Sequence, residues 1–435
     1  DICDEQGNVR IRLKGFSSRV ADKEAELLEQ TGTLMLEPVR REQDVVEMAA
    51  EHDYAEHLAM LCEQEVSRES IESCLDKVRC LVLPSIGNSV TERFQHCALR
   101  AFEEIRKVLD NKPNGKVLIQ IVILSHGEGQ LFAGLSGLLK SARLENPNLI
   151  GQLIEVEAGE SPEAISKKLQ ECGHRPIDDR ICYKEGKRLV AGWSEMQVAP
   201  QETVLAWKTG GVYLVTSDTG GLGLILAREI ARKAENAVIV LTGRSPLGKD
   251  RQEMLKELKA SGIRIIYKQA DVTDRKAVAV LIQSILEQYG NLNGVIHSVG
   301  VIRDNLIIKK NRDEFFKVMV PKVTGLVNLD EATREVPLDL FVMFSSTAAV
   351  FGNPVQADYA TANVFIDAYA KYRNDLVEAN RCYGRTISIN WPLWQEGGIR
   401  VDPETEKMMW QNMGMIPMRA KTGFRALYQG LAAGK

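Results

Sequence analysis

From residue 211 onward the sequence alternates between short apolar runs and amphipathic stretches, and that alternation leaves few folds open. GVYLVTS (211–217), AVIVLTGRS (237–245), IRIIYKQADVTD (263–274), GVIHSVG (294–300), LDLFVMFSS (338–346) and RTISINWPLW (385–394) read as strands. Helical spacing occupies 222–235, 250–261, 274–289, a stretch near 313–334, and 359–379. Runs that are apolar at nearly every position, rather than at every second one, suit strands covered on both faces. Strand–helix units in series build a doubly wound parallel α/β sheet, here with seven units expected.

The first half carries a looser version of the same pattern. CLVLP (80–84), VLIQIVILSHG (117–127) and IGQLIEVE (150–157) alternate with helical stretches such as 89–110 and 160–171, which predicts a second parallel layer. Residues 21–31 and 38–79, rich in Glu, Lys, Ala and Leu, read as surface helices. The opening residues alternate like a strand at Val9, Ile11 and Leu13. A polar, Pro- and Gly-containing stretch at 196–210 marks a boundary. The organisation expected is therefore 1–20 as the end of an upstream domain or a linker, 33–205 as one subdomain and 206–435 as another.

Composition removes several classes of function. A net charge of −4 from 55 basic and 59 acidic residues offers no basic field, so nucleic acid is not an expected partner. The eight cysteines form no C-x-x-C pair and no metal spacing with the six histidines, which reads as buried, reduced thiols in a cytoplasmic protein without a metal. No stretch approaches the length of apolar chain that a membrane span needs.

The turn after the first strand of the second half reads Thr216-Ser217-Asp218-Thr219-Gly220-Gly221-Leu222-Gly223 and runs straight into a helix. Amides at a helix start hold pyrophosphate, and glycines let it approach closely. The second strand ends at Arg244-Ser245, where an acidic residue would bind the ribose of NAD; a guanidinium suits a 2′-phosphate, so NADPH is the expected cofactor. Asp271-Val272 ends the third strand and His297-Ser298 the fourth, and a switch point gathers all these ends around one crevice.

Ser346 and Tyr359 stand 13 residues apart (359 − 346), and Asn363 follows one helical turn later on the same face. With them the sequence resembles the short-chain dehydrogenases/reductases, and specifically the ketoreductase domains of bacterial modular polyketide synthases. Most members of that superfamily carry Lys four residues after Tyr. The polyketide ketoreductases place Asn there and supply Lys from an earlier helix, in a V-x-x-P-K-V-x-G-x-x-N-L setting. Val318, Pro321, Lys322, Val323, Gly325, Asn328 and Leu329 reproduce it.

The resemblance implies a Rossmann catalytic subdomain preceded by a truncated Rossmann-like structural one, whose signature is similar to residues 131–157. It also implies reduction of a β-ketoacyl thioester carried on the phosphopantetheine of an acyl carrier protein. In that reading Tyr359 protonates the developing alkoxide and Lys322 lowers its pKa. A free tyrosine has a pKa of about 10, and each unit of depression corresponds to about 1.4 kcal/mol favouring the phenolate. Ser346 holds the carbonyl, Asn363 orients Lys322 and a relay water, and Pro392 borders the cofactor. Residues 391–418, with three Trp and five Met, correspond to the lid. The first twenty residues resemble the last strand of a dehydratase-type domain, so neighbouring synthase domains are expected, in an assembly line with a separately encoded acyltransferase.

Two features refine the expectation. Ketoreductases that set the D-configured hydroxyl carry L-D-D after the H-x-x-G turn; here Ile302-Arg303-Asp304 keeps the final Asp. The opposite class carries Trp eight residues before Tyr, where this chain has Phe351. A D-configured product is therefore expected. The family loop, however, reads T-G-G-x-G-x-L-G, and Ser217-Asp218 replace its two early glycines. Val299 also stands where the family has a small residue beside the nicotinamide. A carboxylate near the pyrophosphate repels it, which leaves a second reading open: a ketoreductase-like scaffold domain with impaired cofactor binding.

Overall fold

Apolar runs become sheet strands throughout the chain, here in a computed structural model that describes residues 2–3, 9–11, 32–43, 53–75, 77–83, 85–196, 207–217, 221–397 and 401–433. Two compact units result, Asp1–Leu36 and Glu37–Lys435. In the first, β1 (Ile2–Cys3) and β2 (Val9–Ile11) pair antiparallel. Residues 12–31 lie outside the described residues, and so do Leu13 and the helix expected over 21–31.

A seven-stranded sheet occupies the first half of the fold, with strand order β3-β9-β8-β7-β6-β4-β5. Its elements are β3 (Leu36–Glu42), β4 (Glu56–Cys62), α1 (Arg68–Cys74), β5 (Val78–Leu83), α2 (Val90–Asp110), β6 (Val117–Leu124), α3 (Leu135–Glu145), β7 (Leu149–Val156), α4 (Pro162–Gly173), β8 (Arg180–Lys184) and β9 (Lys187–Glu195). A 3-10 segment, Gly127–Gly134, leads into α3. The strands from β5 to β8 pair in parallel, while β8 and β9 form an antiparallel hairpin with β3 beyond it at the edge.

The helical expectation for 38–79 is corrected here, because only Arg68–Cys74 is helical among its described residues. Residues 58–62 form a buried run between β5 and β6, and pairing on both sides overrides a composition that favours helix. The cysteine expectation is corrected at one position: Cys74 is exposed, whereas Cys62, Cys80, Cys97, Cys172, Cys182 and Cys382 are buried.

The second half follows the predicted alternation closely. Its elements are β10 (Val212–Thr216), α5 (Gly221–Lys233), β11 (Val238–Gly243), α6 (Lys249–Ala260), β12 (Arg264–Gln269), α7 (Arg275–Tyr289), β13 (Gly294–His297), α8 (Arg312–Thr333), β14 (Leu340–Ser346), α9 (Thr347–Phe351), α10 (Ala357–Glu378), β15 (Arg385–Trp391), α11 (Pro403–Met413) and α12 (Ala420–Ala433). Six strands, not seven, form this sheet, in the order β12-β11-β10-β13-β14-β15, and every pairing is parallel. The order in which strands are added reverses between β10 and β13, which opens a crevice at the carboxyl ends of those strands.

Both sheets contribute to one continuous apolar core. Phe94 of α2 lies 4.6 Å from Phe365 of α10, and Phe102 stacks on Phe315 of α8 at 4.5 Å. A Cβ on Gly137 of α3 would come within 2.5 Å of the Ala360 carbonyl carbon, so α3 and α10 meet backbone to backbone just where α10 carries Tyr359. No helix among the described residues is long and apolar enough to cross a membrane.

Candidate active site

The ends of β10 and β13 are tied together by their own side chains. Thr216 Oγ1 and His297 Nδ1 are 2.9 Å apart, and Ser298 Oγ donates to Thr216 O at 2.7 Å. His297 is fully enclosed, and burial, followed by the nearby Lys322 charge, pulls its pKa down to about 3, so the imidazole is neutral. These side chains are engaged in joining strands. Ser217 lies beside Gly223: a Cβ on that glycine would meet Ser217 Cβ at 2.7 Å, so Gly223 leaves room for a residue larger than glycine in the loop. Asp218, Thr219 and Gly220 lie outside the described residues. Gly221 opens α5, and Leu222 packs toward Gly397.

Arg244, Asp271, Val272, Val299 and Pro321 line a single cavity at the switch point. The Arg244 and Ser245 carbonyls are pinned by Gln269 Nε2 at 2.9 Å and Tyr267 OH at 2.5 Å, and both residues are exposed. Asp271 turns its carboxylate onto Thr273, accepting from the backbone amide at 2.9 Å and the hydroxyl at 2.8 Å. Val272 O accepts from Asn328 Nδ2 at 2.9 Å, which gives a reason for the asparagine in the lysine-bearing helix.

Lys322, Ser346, Tyr359 and Asn363 come together beside this cavity. Lys322 Nζ sits 5.3 Å from the centre of the Tyr359 ring and donates to Phe344 O at 3.0 Å. Ser346 caps α9, accepting from Ala348 N at 3.2 Å. Asn363 Nδ2 donates to Tyr359 O at 2.8 Å, while its Oδ1 is buried without a hydrogen-bond partner. An unpartnered buried acceptor is costly and suits a bridging water. Gly300 completes the cradle: a Cβ there would lie 3.2 Å from Lys322 Cε and 3.7 Å from Tyr359 Cε2.

Burial dominates the electrostatics. It raises the Tyr359 pKa above its ordinary value, with hydrogen bonding to Asn363 and Ser346 opposing it, and it lowers Lys322 to about 7, with the Asp367 carboxylate opposing. In this state the tyrosine is a held acid, and the depression of its pKa expected from Lys322 does not appear. The lysine is too desolvated to keep its full charge near neutrality.

Several site residues escaped the sequence reading. Asp367 accepts from Ser388 Oγ at 2.6 Å and Asn390 Nδ2 at 2.7 Å, and that same amide reaches Ser345 Oγ at 3.0 Å. Lys310 and Asp358 form an ion pair of 2.6 Å with almost no exposure on either side. The only signal for Asp358 was its adjacency to Tyr359. Asp304 accepts from Gln356 Nε2 at 3.0 Å, and Phe351 ends α9 half exposed. In the region expected to form a lid, Trp391 and Trp394 are core residues packed with Phe344, whereas Met408 and Met413 of α11 are exposed. Pro392 is half-buried just past β15.

A doubly wound sheet with lysine, serine, tyrosine and asparagine gathered at its strand ends defines an oxidoreductase of the short-chain dehydrogenase/reductase type. Residues 211–396 match the KR domain family. Polyketide synthase PksN of Bacillus subtilis (strain 168) is 46% identical over 439 residues, covering 100% of this chain and 8% of that protein. PksL of the same organism is 42% identical over 436 residues, covering 100% of this chain and 10% of the relative. The crystal structure of a ketoreductase domain from the bacillaene assembly line superposes with a TM-score of 0.86 at 42% identity, covering 92% of this chain and 95% of that one. The chain belongs to the ketoreductase domains of polyketide synthases. It spans about a tenth of the curated synthases it matches.

Proposed function

We propose that this domain reduces a β-ketoacyl thioester, presented on an acyl carrier protein, to the D-configured β-hydroxyacyl thioester with NADPH. The observation that carries the reading is the Lys322–Tyr359 pair, 5.3 Å from ammonium to ring, beside the cavity that Arg244 lines.

The residues present fit a phosphorylated dinucleotide. Arg244 offers a planar guanidinium for the 2′-phosphate, Gly221 starts a helix whose first amides would hold the pyrophosphate, and Gly300 leaves space that a side chain would fill. NADPH supplies hydride to the ketone carbon when bound. Ser346 orients the carbonyl, and Tyr359 delivers its phenolic proton to the carbonyl oxygen as charge develops there. Lys322, titrating near 7, restores that proton or stabilises the phenolate left behind. Asp304, held by Gln356, and Phe351 in place of Trp support the D-configured outcome.

Fluorescence titration with NADPH, followed by a β-ketoacyl thioester and chiral analysis of the product, tests each part. Binding with turnover to a D-hydroxy product is expected, and a predominantly L-configured product rejects the stereochemical assignment. The scaffold reading draws on Ser217 and Asp218. It prevails if no NADPH binding is seen and glycine at both positions restores it.

A further inference from the structure

Val355 has φ of +64°, a left-handed conformation that a β-branched residue rarely adopts. It stands four residues before Tyr359, in the turn joining α9 to α10. Such strain persists only where surroundings hold it, and the holders come from the first half of the fold. Glu145, the last residue of α3, accepts through Oε1 from Val355 N at 3.1 Å and through Oε2 from Ile307 N at 2.8 Å. Val355 O closes the circuit by accepting from Asn305 N at 2.9 Å. One carboxylate thus joins the loop that begins at Asp304 to the turn that leads into Tyr359.

Neighbouring contacts run the same way. Lys140 Nζ donates to Val350 O at 2.9 Å, and Ser141 Oγ accepts from Asn353 N at 3.2 Å. On the far side Lys310 pairs with Asp358 and also donates to Arg303 O, while Asp358 Oδ1 accepts from Tyr359 N at 2.9 Å. A carboxylate at the carboxyl end of a helix faces the negative pole of its dipole, so α3 gains nothing from an acid at that position for its own sake. The two amides explain why it is there.

We propose that Glu145 is a positioning residue for reduction, fixing the Asp304 loop against the turn that sets Tyr359 and thereby governing both rate and product configuration. The inference rests on the ketoreductase reading of the site, and it assigns to the noncatalytic half a direct part in stereocontrol. Glutamine at 145 keeps one acceptor and turns an NH2 group toward the second amide, so it halves the clamp; alanine removes it.

The test compares wild type with Glu145→Ala and Glu145→Gln by amide hydrogen exchange over 304–307 and 350–356 in the domain alone, then by kcat, KM for NADPH and the diastereomeric ratio of the product. Glu145→Ala is expected to speed exchange at Ile307 and Val355, to lower kcat roughly tenfold by misplacing the acid, to leave KM for NADPH unchanged and to erode the product ratio. Glu145→Gln should fall between, and it carries the comparison if the alanine variant fails to fold. Unchanged exchange and an unchanged product ratio in both variants would overturn the proposal. A wild-type domain that binds NADPH yet reduces no thioester rejects the ketoreductase reading instead, and the exchange data still decide whether Glu145 holds the two loops.

Discussion

Replacing Lys322 with methionine should abolish reduction and stabilise the fold. Lys322 is 3% exposed, and burial lowers its pKa from 10.5 to about 7. Below pH 7 the ammonium is charged in both folded and unfolded chains, and the folded state bears the whole cost of burying it. Between pH 7 and 10.5 the unfolded chain holds a proton that the folded one lacks, so this residue's contribution to stability rises with pH. A depression of that size corresponds to about 5 kcal/mol below pH 7. Methionine removes that cost but leaves Phe344 O without its donor, a loss of about 1–2 kcal/mol. The variant should therefore be more stable than wild type by about 3 kcal/mol at pH 6. The advantage should shrink above pH 7 and vanish by about pH 10. Urea titrations of both proteins at pH 6, 7, 8 and 9 measure it. A variant less stable than wild type at pH 6, or a difference that does not change with pH, refutes the reasoning.

Three further outcomes are expected from the same geometry. Arg244→Ala should raise KM for NADPH by roughly 10- to 100-fold with much less effect on NADH, the loss expected of charge-assisted hydrogen bonds to a phosphate; equal effects on both cofactors would place the 2′-phosphate elsewhere. Asp330→Ala should destabilise the domain by about 3–5 kcal/mol, because Asp330 binds fully buried Arg373 at 2.6 Å as well as Tyr369 OH at 2.8 Å and leaves that guanidinium uncompensated when removed; urea denaturation reads the difference. Changing Ser217 and Asp218 together to glycine should tighten NADPH binding in a fluorescence titration by removing a carboxylate from the phosphate loop; unchanged affinity would show that the loop tolerates both residues.

The second sheet was legible because its inner strands β10, β11, β13 and β14 are buried on both faces, so each appears in the sequence as a largely apolar run between helical repeats. The predicted helices at 250–261 and 359–379 correspond to Lys249–Ala260 and Ala357–Glu378. The first half was less readable for a physical reason. Residues 56–62 are too short to display a period, and their flanks are rich in helix formers; only pairing with β5 and β6 makes them a strand. The expectation of seven units exceeded the six apolar runs that the sequence carries; those six form the sheet, and the chain beyond β15 continues as the helices α11 and α12.

The site divides along the same line. Ser346, Tyr359 and Asn363 are local in sequence, separated by a turn and one helical repeat, and a fixed spacing announces them. Lys322 is visible only through the pattern of its own helix. Nothing local announces Glu145, whose partners lie 162 and 210 residues away, or Lys310, which is 48 residues from Asp358. Glu145 acts on backbone amides, which every residue but proline possesses, so its partners leave no trace in residue type. Reactive groups are chosen for their chemistry and therefore show in a sequence, whereas the groups that hold them in register are chosen for where the fold brings them. That asymmetry is why the half of the molecule without catalytic residues reads as inert until its α3 is seen to end on the two loops that frame Tyr359.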